Sequence, residues 1–405
     1  MIKKIPIAAL QEGMFIHDLN CDWMTHPFFR SRFMLKTEQQ LQTIRDLGVP
    51  EVYIDTGRGL DAAEARTQEE VHQALTQELI EVATKVPVPP RPRTLEEEMT
   101  RARRVHAEAN LIIRGVLESV RLGKKVEIDR VEEIVDDINT SLMSNPGAML
   151  SLCRIRNADE YTFLHSVSVG TLMMAFTSFQ GMEQEHVRQA GIGGLMHDLG
   201  KMKTPNHILN KPDRLTPEEF EVMKRHPGEG HQLLQEIRGI REEHLTITIQ
   251  HHERLDGSGY PYKLTKDQID PIAQMAAIAD VYDALTAERC YHKPTPPTDA
   301  LRKLLEWSRH HFNPDYVHSF VRCVGIYPVG SAVILESGRI GIVTQQNQDD
   351  LLTPTVVAVY DSRKQQFIAP QVVDLSKSLG HGGADRILTS TEPERWRINP
   401  QDFLG

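Results

Sequence analysis

The sequence predicts a mainly helical protein with a small α/β module at the N-terminal end and a small β subdomain at the C-terminal end. Apolar residues recur at helical spacing from Ile128 to Leu142, and no strand-like alternation is evident between Val126 and Arg322. Beyond Cys323 the apolar pattern changes to a period of two, which is typical of strands. A chain of 405 residues is long enough for about two to four domains. We expect four units, at residues 1–60, 61–125, 126–325 and 326–405.

The first 60 residues show the pattern of a small α/β module. Thr37 is followed three residues later by Gln40, which is the spacing of a helix capping box. A helix is therefore expected over residues 38–47, with Gly48 just after its C-terminal end. The apolar run at residues 51–54 then predicts a strand.

Residues 61–125 are expected to form a helical linker with a proline-rich stretch inside it. Apolar residues at helical spacing follow Val71, and a second helix is expected to begin near Thr94. Four prolines between Pro87 and Pro92 imply a stiff, exposed spacer between these helices. Helices of this kind can pair two subunits in a homodimer or pack against their own domain, and the sequence leaves both alternatives open.

The C-terminal unit is expected to hold a small sheet. Strands are predicted at residues 332–335, 340–343 and 355–360, with a turn at Gly338 between the first two. The last residues, which include Gly380, Gly382 and Gly383, are expected to be loop-like.

The composition is that of an ordinary globular protein, with 40% hydrophobic and 25% charged residues. No apolar run approaches the roughly 20 residues of a membrane-spanning helix, and the N-terminal residues lack the apolar core of a signal peptide. The formal net charge of −10 argues against a DNA-binding surface spread over the protein. Four widely separated cysteines fit a reducing compartment, so we expect a cytoplasmic location.

Histidine and aspartate residues are concentrated in the third unit. Nine of the 18 histidines lie between His165 and His252, on otherwise apolar stretches of chain. Imidazole and carboxylate ligands together suit divalent iron, manganese, nickel or zinc. An aspartate has two oxygens and can bridge two ions, and two ions about 3.5–4 Å apart form a clamp for splitting phosphate esters. The long separations between these residues predict that different helices present them to one site in a bundle. The predicted metal ligands are His165, His197, Asp198, His226, His251, His252 and Asp280.

Three motifs carry a resemblance to a known family. Residues 197–201 read His-Asp-Leu-Gly-Lys, Leu215 is followed by Thr216, and residues 251–261 read His-His-Glu-Arg-Leu-Asp-Gly-Ser-Gly-Tyr-Pro. The order His, His-Asp, Asp is similar to that of the HD phosphohydrolase superfamily, and the three motifs together resemble its HD-GYP branch. The resemblance is strong over roughly residues 126–325. The first unit resembles an uncharacterised domain that is often found ahead of HD-GYP domains, so we expect it to be a regulatory module.

The resemblance implies an all-helical, metal-dependent phosphodiesterase that hydrolyses the bacterial second messenger cyclic di-GMP. Its product would be the linear dinucleotide pGpG, with a second cut to GMP left open. Asp198 and Lys201 are the expected catalytic residues. Asp198 would bridge the metals, and Lys201, three residues later, would stabilise the developing negative charge or help to protonate the leaving oxygen.

The resemblance also implies where the substrate is bound. Gly259, Tyr260 and Pro261 belong to a loop that edges the substrate groove in this family, so we expect contacts to the substrate there. Arg289 is expected to contact phosphate or guanine, because a guanidinium suits both groups, and Lys293 is a weaker candidate. A signalling partner is expected to dock on the same loop or on the N-terminal module.

The number of metals and the reaction have alternatives. Some family members hold a third metal with a glutamate four residues before the first ligand histidine, and here that position is Tyr161. We therefore expect two divalent ions, with iron or manganese favoured and zinc or nickel as alternatives. The alternative functions are an HD hydrolase of another cyclic dinucleotide or of a guanosine polyphosphate, and a catalytically silent adaptor that binds the messenger. The presence of all seven ligands favours catalysis.

Overall fold

Two small antiparallel sheets lie at the two ends of the chain, and helices occupy the residues between them. The computed structural model describes residues 1–21, 32–62, 65–84, 93–153, 161–211, 213, 215–287, 294–347, 349–377 and 385–404. Over these residues the predicted fold class is confirmed. None of the helices within these ranges combines the length and the apolar character that a membrane span requires.

The N-terminal sheet is antiparallel, with the strand order β3-β2-β4-β1-β5. Helix α1 begins at Glu38 as predicted, because the Thr37 side chain accepts a hydrogen bond from the backbone N–H of Gln40. The helix ends at Arg45, two residues earlier than expected, and Gly48 follows with a φ of 70°. The elements are β1 (Ile2–Pro6), β2 (Phe15–Asp18), β3 (Phe33–Met34), α1 (Glu38–Arg45), β4 (Glu51–Asp55) and β5 (Arg66–Thr67).

The helical body follows this sheet. Capping boxes begin its first two helices, with Thr67 and Glu70 at the first and Thr94 and Glu97 at the second. The helices are α2 (Gln68–Ala83), α3 (Leu95–Arg121), α4 (Asp129–Ser144), α5 (Pro146–Leu152), α6 (Tyr161–Phe179), α7 (Gln184–Met196), α8 (Asn206–Leu209), α9 (Pro217–Met223), α10 (His226–Gln235), α11 (Glu242–Gln250), α12 (Pro271–Thr286), α13 (Pro297–Trp307) and α14 (Pro314–Val324).

Helices α2 and α3 pack against the rest of the body. The apolar face of α3, with Met99, Val105 and Ile113, is buried against α4, α5 and α6. Leu75 and Leu79 of α2 are buried against α13 and α14. Of the two alternatives that the sequence left open, these contacts correspond to packing within one chain. Residues 85–92, with the four prolines, lie outside the described part of the chain.

Helices α6 and α12 run through the interior and are apolar on nearly all sides. Every residue of α12 from Met275 to Leu285 is buried. Helices α6 and α7 approach closely at two glycines. A Cβ atom on Gly194 would lie only 2.8 Å from the Cα of Gly170. This close approach brings the chain segments that carry His165 and His197 to the same place in the interior.

The C-terminal sheet has the strand order β10-β6-β7-β8-β9 and is antiparallel. Its first three strands were predicted. The two outer strands were not, because β9 is largely exposed, contains Pro370 and shows no clean alternation, and β10 lies in the region expected to be loop-like. The strands are β6 (Ala332–Leu335), β7 (Arg339–Gln345), β8 (Thr355–Asp361), β9 (Gln366–Asp374) and β10 (Ile387–Thr391).

Candidate metal centre

The seven predicted ligands come together inside the helical body from five different segments. His165 lies on α6, Asp280 lies on α12, and His226 is the first residue of α10. The other four directly follow the C-terminal ends of α7 (His197 and Asp198) and α11 (His251 and His252). All seven side chains are buried.

The ligand atoms form two groups. In each group one atom per residue lies within 4.8 Å of all the others, and the groups are Asp198 with His226, His251 and His252, and His165 with His197 and Asp280. Asp198 faces both groups. Its Oδ1 lies 3.3 Å from Nε2 of His226, while its Oδ2 lies 3.4 Å from Nε2 of both His165 and His197. A carboxylate in this position can share its two oxygens between two ions.

Hydrogen bonds on the far side of each ring orient four of the histidines. The Nδ1–H groups of His197, His226 and His251 donate to backbone carbonyls of Gly194, Met223 and Thr248 at 2.7, 2.7 and 2.8 Å. His165 Nδ1 lies 2.6 Å from the carboxylate of Asp283, which is buried as well. Because Nδ1 carries the proton in each case, the lone pair of Nε2 is directed into the centre. Metal-binding histidines are held in this way.

A tight backbone contact places His226. The residues after Asp198 form a short 3-10 turn, Leu199–Lys203, which packs against α10. A Cβ atom on Gly200 would collide with the carbonyl oxygen of His226 and the backbone nitrogen of Gly230. Only glycine therefore allows this approach.

The surroundings set the protonation states that metal ligands need. Burial lowers the pKa of His226 to about 4, and burial together with the neighbouring histidines lowers the pKa of His251 and of His252 well below the usual value. Burial would raise the pKa of Asp198, but His197 and Lys201 hold that pKa well below its ordinary value. Neutral imidazoles and charged carboxylates are the forms that coordinate metals.

Several buried polar atoms of the centre have no hydrogen-bond partner among the described residues. They are His197 Nε2, Asp198 Oδ1 and His252 Nε2. Leaving such atoms without a partner in the interior costs free energy, and a divalent cation would satisfy those that are directed at it. The residues therefore fit a bound metal, and the buried His and Asp donor set is suited to divalent metal ions.

Lys201 lies at the edge of the centre. Its Nζ is 2.5 Å from Oδ2 of Asp198, and 13% of its side chain is exposed to solvent. The ammonium group thus reaches both the shared carboxylate and the solvent side of the site.

The Gly-Tyr-Pro loop folds back over the histidines. The ring of Tyr260 stacks on His252 with the ring centroids 4.7 Å apart, and the backbone N–H of Tyr260 donates to the His252 carbonyl at 3.2 Å. The Tyr260–Pro261 peptide bond is cis. A Cβ atom on Gly259 would collide with the backbone nitrogen of Arg254, which explains the glycine.

Two residues of this site were missed by the sequence analysis. Glu253 is buried, and its carboxylate accepts hydrogen bonds from the backbone N–H groups of Tyr262 at 2.7 Å and Leu264 at 2.9 Å, which holds the loop. Asp283 orients His165. The sequence offers only a weak signal for them, since each is an acid within three residues of a predicted ligand.

Two predicted substrate contacts lie outside the described residues, and a third predicted feature rests on a side chain that is not described. Arg289 and Lys293 fall within residues 288–293, so the structure does not bear on their expected substrate contacts. Tyr161 begins α6, but its side chain is not described, so the prediction of two metals rather than three is not tested there.

The chain matches two family models. The model described as "HD domain" matches residues 150–316, and the model described as "Domain of unknown function (DUF3391)" matches residues 2–131.

Curated relatives share the sequence to different extents. A cyclic di-GMP phosphodiesterase of Pseudomonas aeruginosa is 38% identical over 407 aligned positions, which cover 100% of this chain and 95% of that protein. A cyclic di-GMP phosphodiesterase of Thermotoga maritima is 30% identical over 228 residues, or 56% of this chain and 62% of its own. The 3′3′-cGAMP-specific phosphodiesterase 1 of Vibrio cholerae is 38% identical over 144 residues, or 36% of this chain and 33% of its own. Because the Pseudomonas relative is matched along nearly its whole length, the chain belongs to the HD-GYP family of cyclic di-GMP phosphodiesterases, with a DUF3391 domain ahead of its HD domain.

Proposed function

We propose that this protein hydrolyses cyclic di-GMP to the linear dinucleotide pGpG at a centre that holds two divalent metal ions, iron or manganese. The observation that carries the proposal is the position of Asp198, whose two carboxylate oxygens face two separate groups of ligands. The names of the Pseudomonas and Thermotoga relatives support the substrate. Further cleavage to GMP stays open.

The residues divide naturally between two ions. His165, His197 and Asp280 would hold one ion, and the other would be held by the second group, His226, His251 and His252, with Asp198 shared between them. Bound there, the ions would polarise the phosphodiester and lower the pKa of a water molecule so that it becomes a nucleophile at neutral pH.

The protein's own groups would orient the substrate and stabilise the charge that develops. Because the ligand side chains are buried from solvent, electrostatic interactions there are stronger than they would be in water. Lys201, next to Asp198, can offer its positive charge or a proton to the leaving 3′ oxygen. Tyr260 lies against His252 at the edge of the centre, where Gly259, Tyr260 and Pro261 would contact the bound dinucleotide.

The remaining predictions stay proposals of the same kind. We propose that residues 126–325 form the catalytic domain and that residues 1–60 are regulatory, with residues 61–125 as the linker and 326–405 as an extension. Substrate contacts of Arg289 and Lys293, a cytoplasmic location, a homodimer and a signalling partner on the Gly-Tyr-Pro loop or the N-terminal module are proposed on sequence grounds alone.

The test pairs metal analysis with a product assay. Purified protein loaded with iron, manganese or zinc is incubated with cyclic di-GMP, 3′3′-cGAMP or guanosine tetraphosphate, and the products are separated by chromatography. Asp198→Ala removes the shared carboxylate. Asp267→Ala changes an exposed aspartate in the same domain and is the matched control.

The expected result is about two metals per chain and the conversion of cyclic di-GMP to pGpG, both lost in Asp198→Ala and kept in Asp267→Ala. Three metals per chain would overturn the two-metal assignment made from Tyr161. Faster turnover of 3′3′-cGAMP would reassign the substrate to the alternative class. Binding of cyclic di-GMP without turnover in every metal form would replace the enzyme by a messenger-binding adaptor.

A further inference from the structure

A buried group of charged and polar side chains joins the N-terminal sheet to the end of α13. Lys4 on β1 lies 2.6 Å from Glu51 and 2.8 Å from Glu306, and the Tyr53 hydroxyl donates to Glu306 at 2.7 Å. Lys4, Tyr53 and Glu306 are only 5%, 7% and 8% exposed. A second bond runs beside this group, from Trp307 Nε1 to the side-chain oxygen of Asn20 at 3.2 Å. The N-terminal sheet is therefore attached to the last turn of α13.

The residues that follow hold the stem of the Gly-Tyr-Pro loop. The backbone N–H of Leu255 donates to the carbonyl of His311 at 3.1 Å, and the ring of His311 lies 3.6 Å from the carboxylate of Asp256. The guanidinium of Arg254 lies 5.1 Å from the centre of the Phe312 ring. Residues 306–312, which we call the bridging turn, thus contact the N-terminal sheet on one side and the loop stem on the other.

The N-terminal module also approaches the loop directly. A Cβ atom on Gly48 would lie 3.3 Å from the Cβ of Ser258, which belongs to the Gly-Ser-Gly-Tyr sequence of the loop. Two independent routes therefore connect the module to the residues that cover the metal centre.

The chemistry of the attachment favours one fixed position. Apolar contacts are non-directional, whereas a buried ammonium group must keep its carboxylate partners or remain uncompensated in the interior. Lys4 forms ion pairs with both Glu51 and Glu306, and the Tyr53 hydroxyl donates a hydrogen bond to Glu306 as well. The sheet and the bridging turn are consequently held in one register.

We propose that the N-terminal module positions the Gly-Tyr-Pro loop over the metal centre through the bridging turn, and that Glu306 is the positioning residue at the contact. The stacking of Tyr260 on His252 is the end of this chain of contacts. Any ligand or partner that displaces the module from Glu306 would then change substrate binding without touching the metal ligands. The kinetic part of the inference rests on the proposed function, but the structural part does not.

The test uses the full chain in its metal-loaded form. Lys4→Met keeps the length and the apolar stem of the side chain but removes the charge on the module side, and Tyr53→Phe is a milder change that removes one hydrogen bond to Glu306. The amide hydrogen exchange of Leu255 reports on the loop stem. We expect it to accelerate about tenfold in Lys4→Met and less in Tyr53→Phe, because the stem opens when the bridging turn is released.

Glu306→Leu and Glu306→Gln give the second comparison. The leucine variant should behave like Lys4→Met, and the glutamine variant should recover most of the protection at Leu255, since it can still bond to both Lys4 and Tyr53. In Lys4→Met and Glu306→Leu we expect the KM for cyclic di-GMP to rise several-fold with little change in kcat, which is the pattern of lost substrate binding. Glu38→Leu changes an exposed glutamate on α1 of the same module and should alter neither readout.

Two results would overturn the proposal. One is unchanged exchange at Leu255 in Lys4→Met and Tyr53→Phe when both variants are folded by thermal melting. The other is an equal loss of protection in Glu306→Gln and Glu306→Leu, which would mean that the bonds of Glu306 do not matter. If the wild-type protein fails to hydrolyse cyclic di-GMP, the proposed function fails, and the exchange data still decide this inference.

Discussion

Replacing Asp283 should weaken the binding of divalent metal without unfolding the protein. The carboxylate of Asp283 lies 2.6 Å from Nδ1 of His165, and both side chains are almost fully buried. The bond fixes the ring so that Nε2 faces Asp198 and Asp280. Without it, His165 can rotate or change its tautomer, and the free energy of metal binding becomes less favourable.

The size of the effect follows from the kind of bond. Loss of the group that orients a metal-binding histidine typically costs about 10–100-fold in metal affinity, or about 1.4–2.7 kcal/mol. Asp283→Asn keeps an oxygen that accepts the Nδ1–H but loses the charge, so we expect about tenfold. Asp283→Ala removes the carboxylate that accepts the Nδ1–H, so we expect about 100-fold.

The assay is a competition titration with a chelator, in which Mn²⁺ binding is followed for the wild type, the two variants and Asp267→Asn. The last variant changes an exposed carboxylate near the start of α12 and controls for the loss of one negative charge. Thermal melting without metal checks that each variant is folded. If Asp283→Ala binds Mn²⁺ as tightly as Asp267→Asn does, the reasoning about His165 is wrong.

Two further predictions concern the packing around the centre. Gly200→Ala should destabilise the fold by about 3 kcal/mol or more and should reduce metal content, because the new methyl group collides with the backbone of His226. The control is Gly228→Ala, which lies on the same helix as His226, faces open space and should be neutral or stabilising by up to about 1 kcal/mol. Equal melting temperatures for the two variants would contradict this prediction. Burial lowers the pKa of His244 to about 4, and the Arg241 guanidinium adds to the effect, so its neutral ring contributes stability that is present above about pH 6.5 and is lost as the pH falls towards 4. His244→Gln should therefore be less stable than the wild type at pH 7. In denaturant titrations the difference between their free energies of unfolding should narrow by about 2 kcal/mol at pH 5. A difference that is independent of pH would refute the lowered pKa of His244.

The seven proposed ligands could be picked out from the sequence because their residue types and short spacings are local features of the chain. His197-Asp198 and His251-His252 are adjacent pairs on apolar stretches, and such residues need a partner wherever the chain folds. Glu253 and Asp283 have no such local signature. An acid one or three residues from a ligand can equally be exposed to solvent. Glu253 and Asp283 gain their hydrogen bonds only because the loop lies beside Glu253 and α6 lies beside Asp283.

The extent of the sheets shows the same limit. Nearly all residues of strands β6, β7 and β8 are buried or half-buried, and their many apolar and β-branched residues make them recognisable as strands in the sequence. Strand β9 lies at an edge with most of its residues exposed, and pairing with β8 defines it. A strand that is specified by its neighbour cannot be recognised from its own residues.

The sequence by itself determined the helical class and the family and was enough to propose the seven ligands, because residue type, periodicity and contiguous motifs are properties of the chain. Only the tertiary structure decided that Asp198 lies between two groups of ligands, that Glu253 holds the loop and that Lys4 reaches Glu306, 302 positions further along the chain by their numbering. These contacts join residues from separate elements. Their distances depend on how the helices and the sheet pack, and no local pattern of residues encodes that packing.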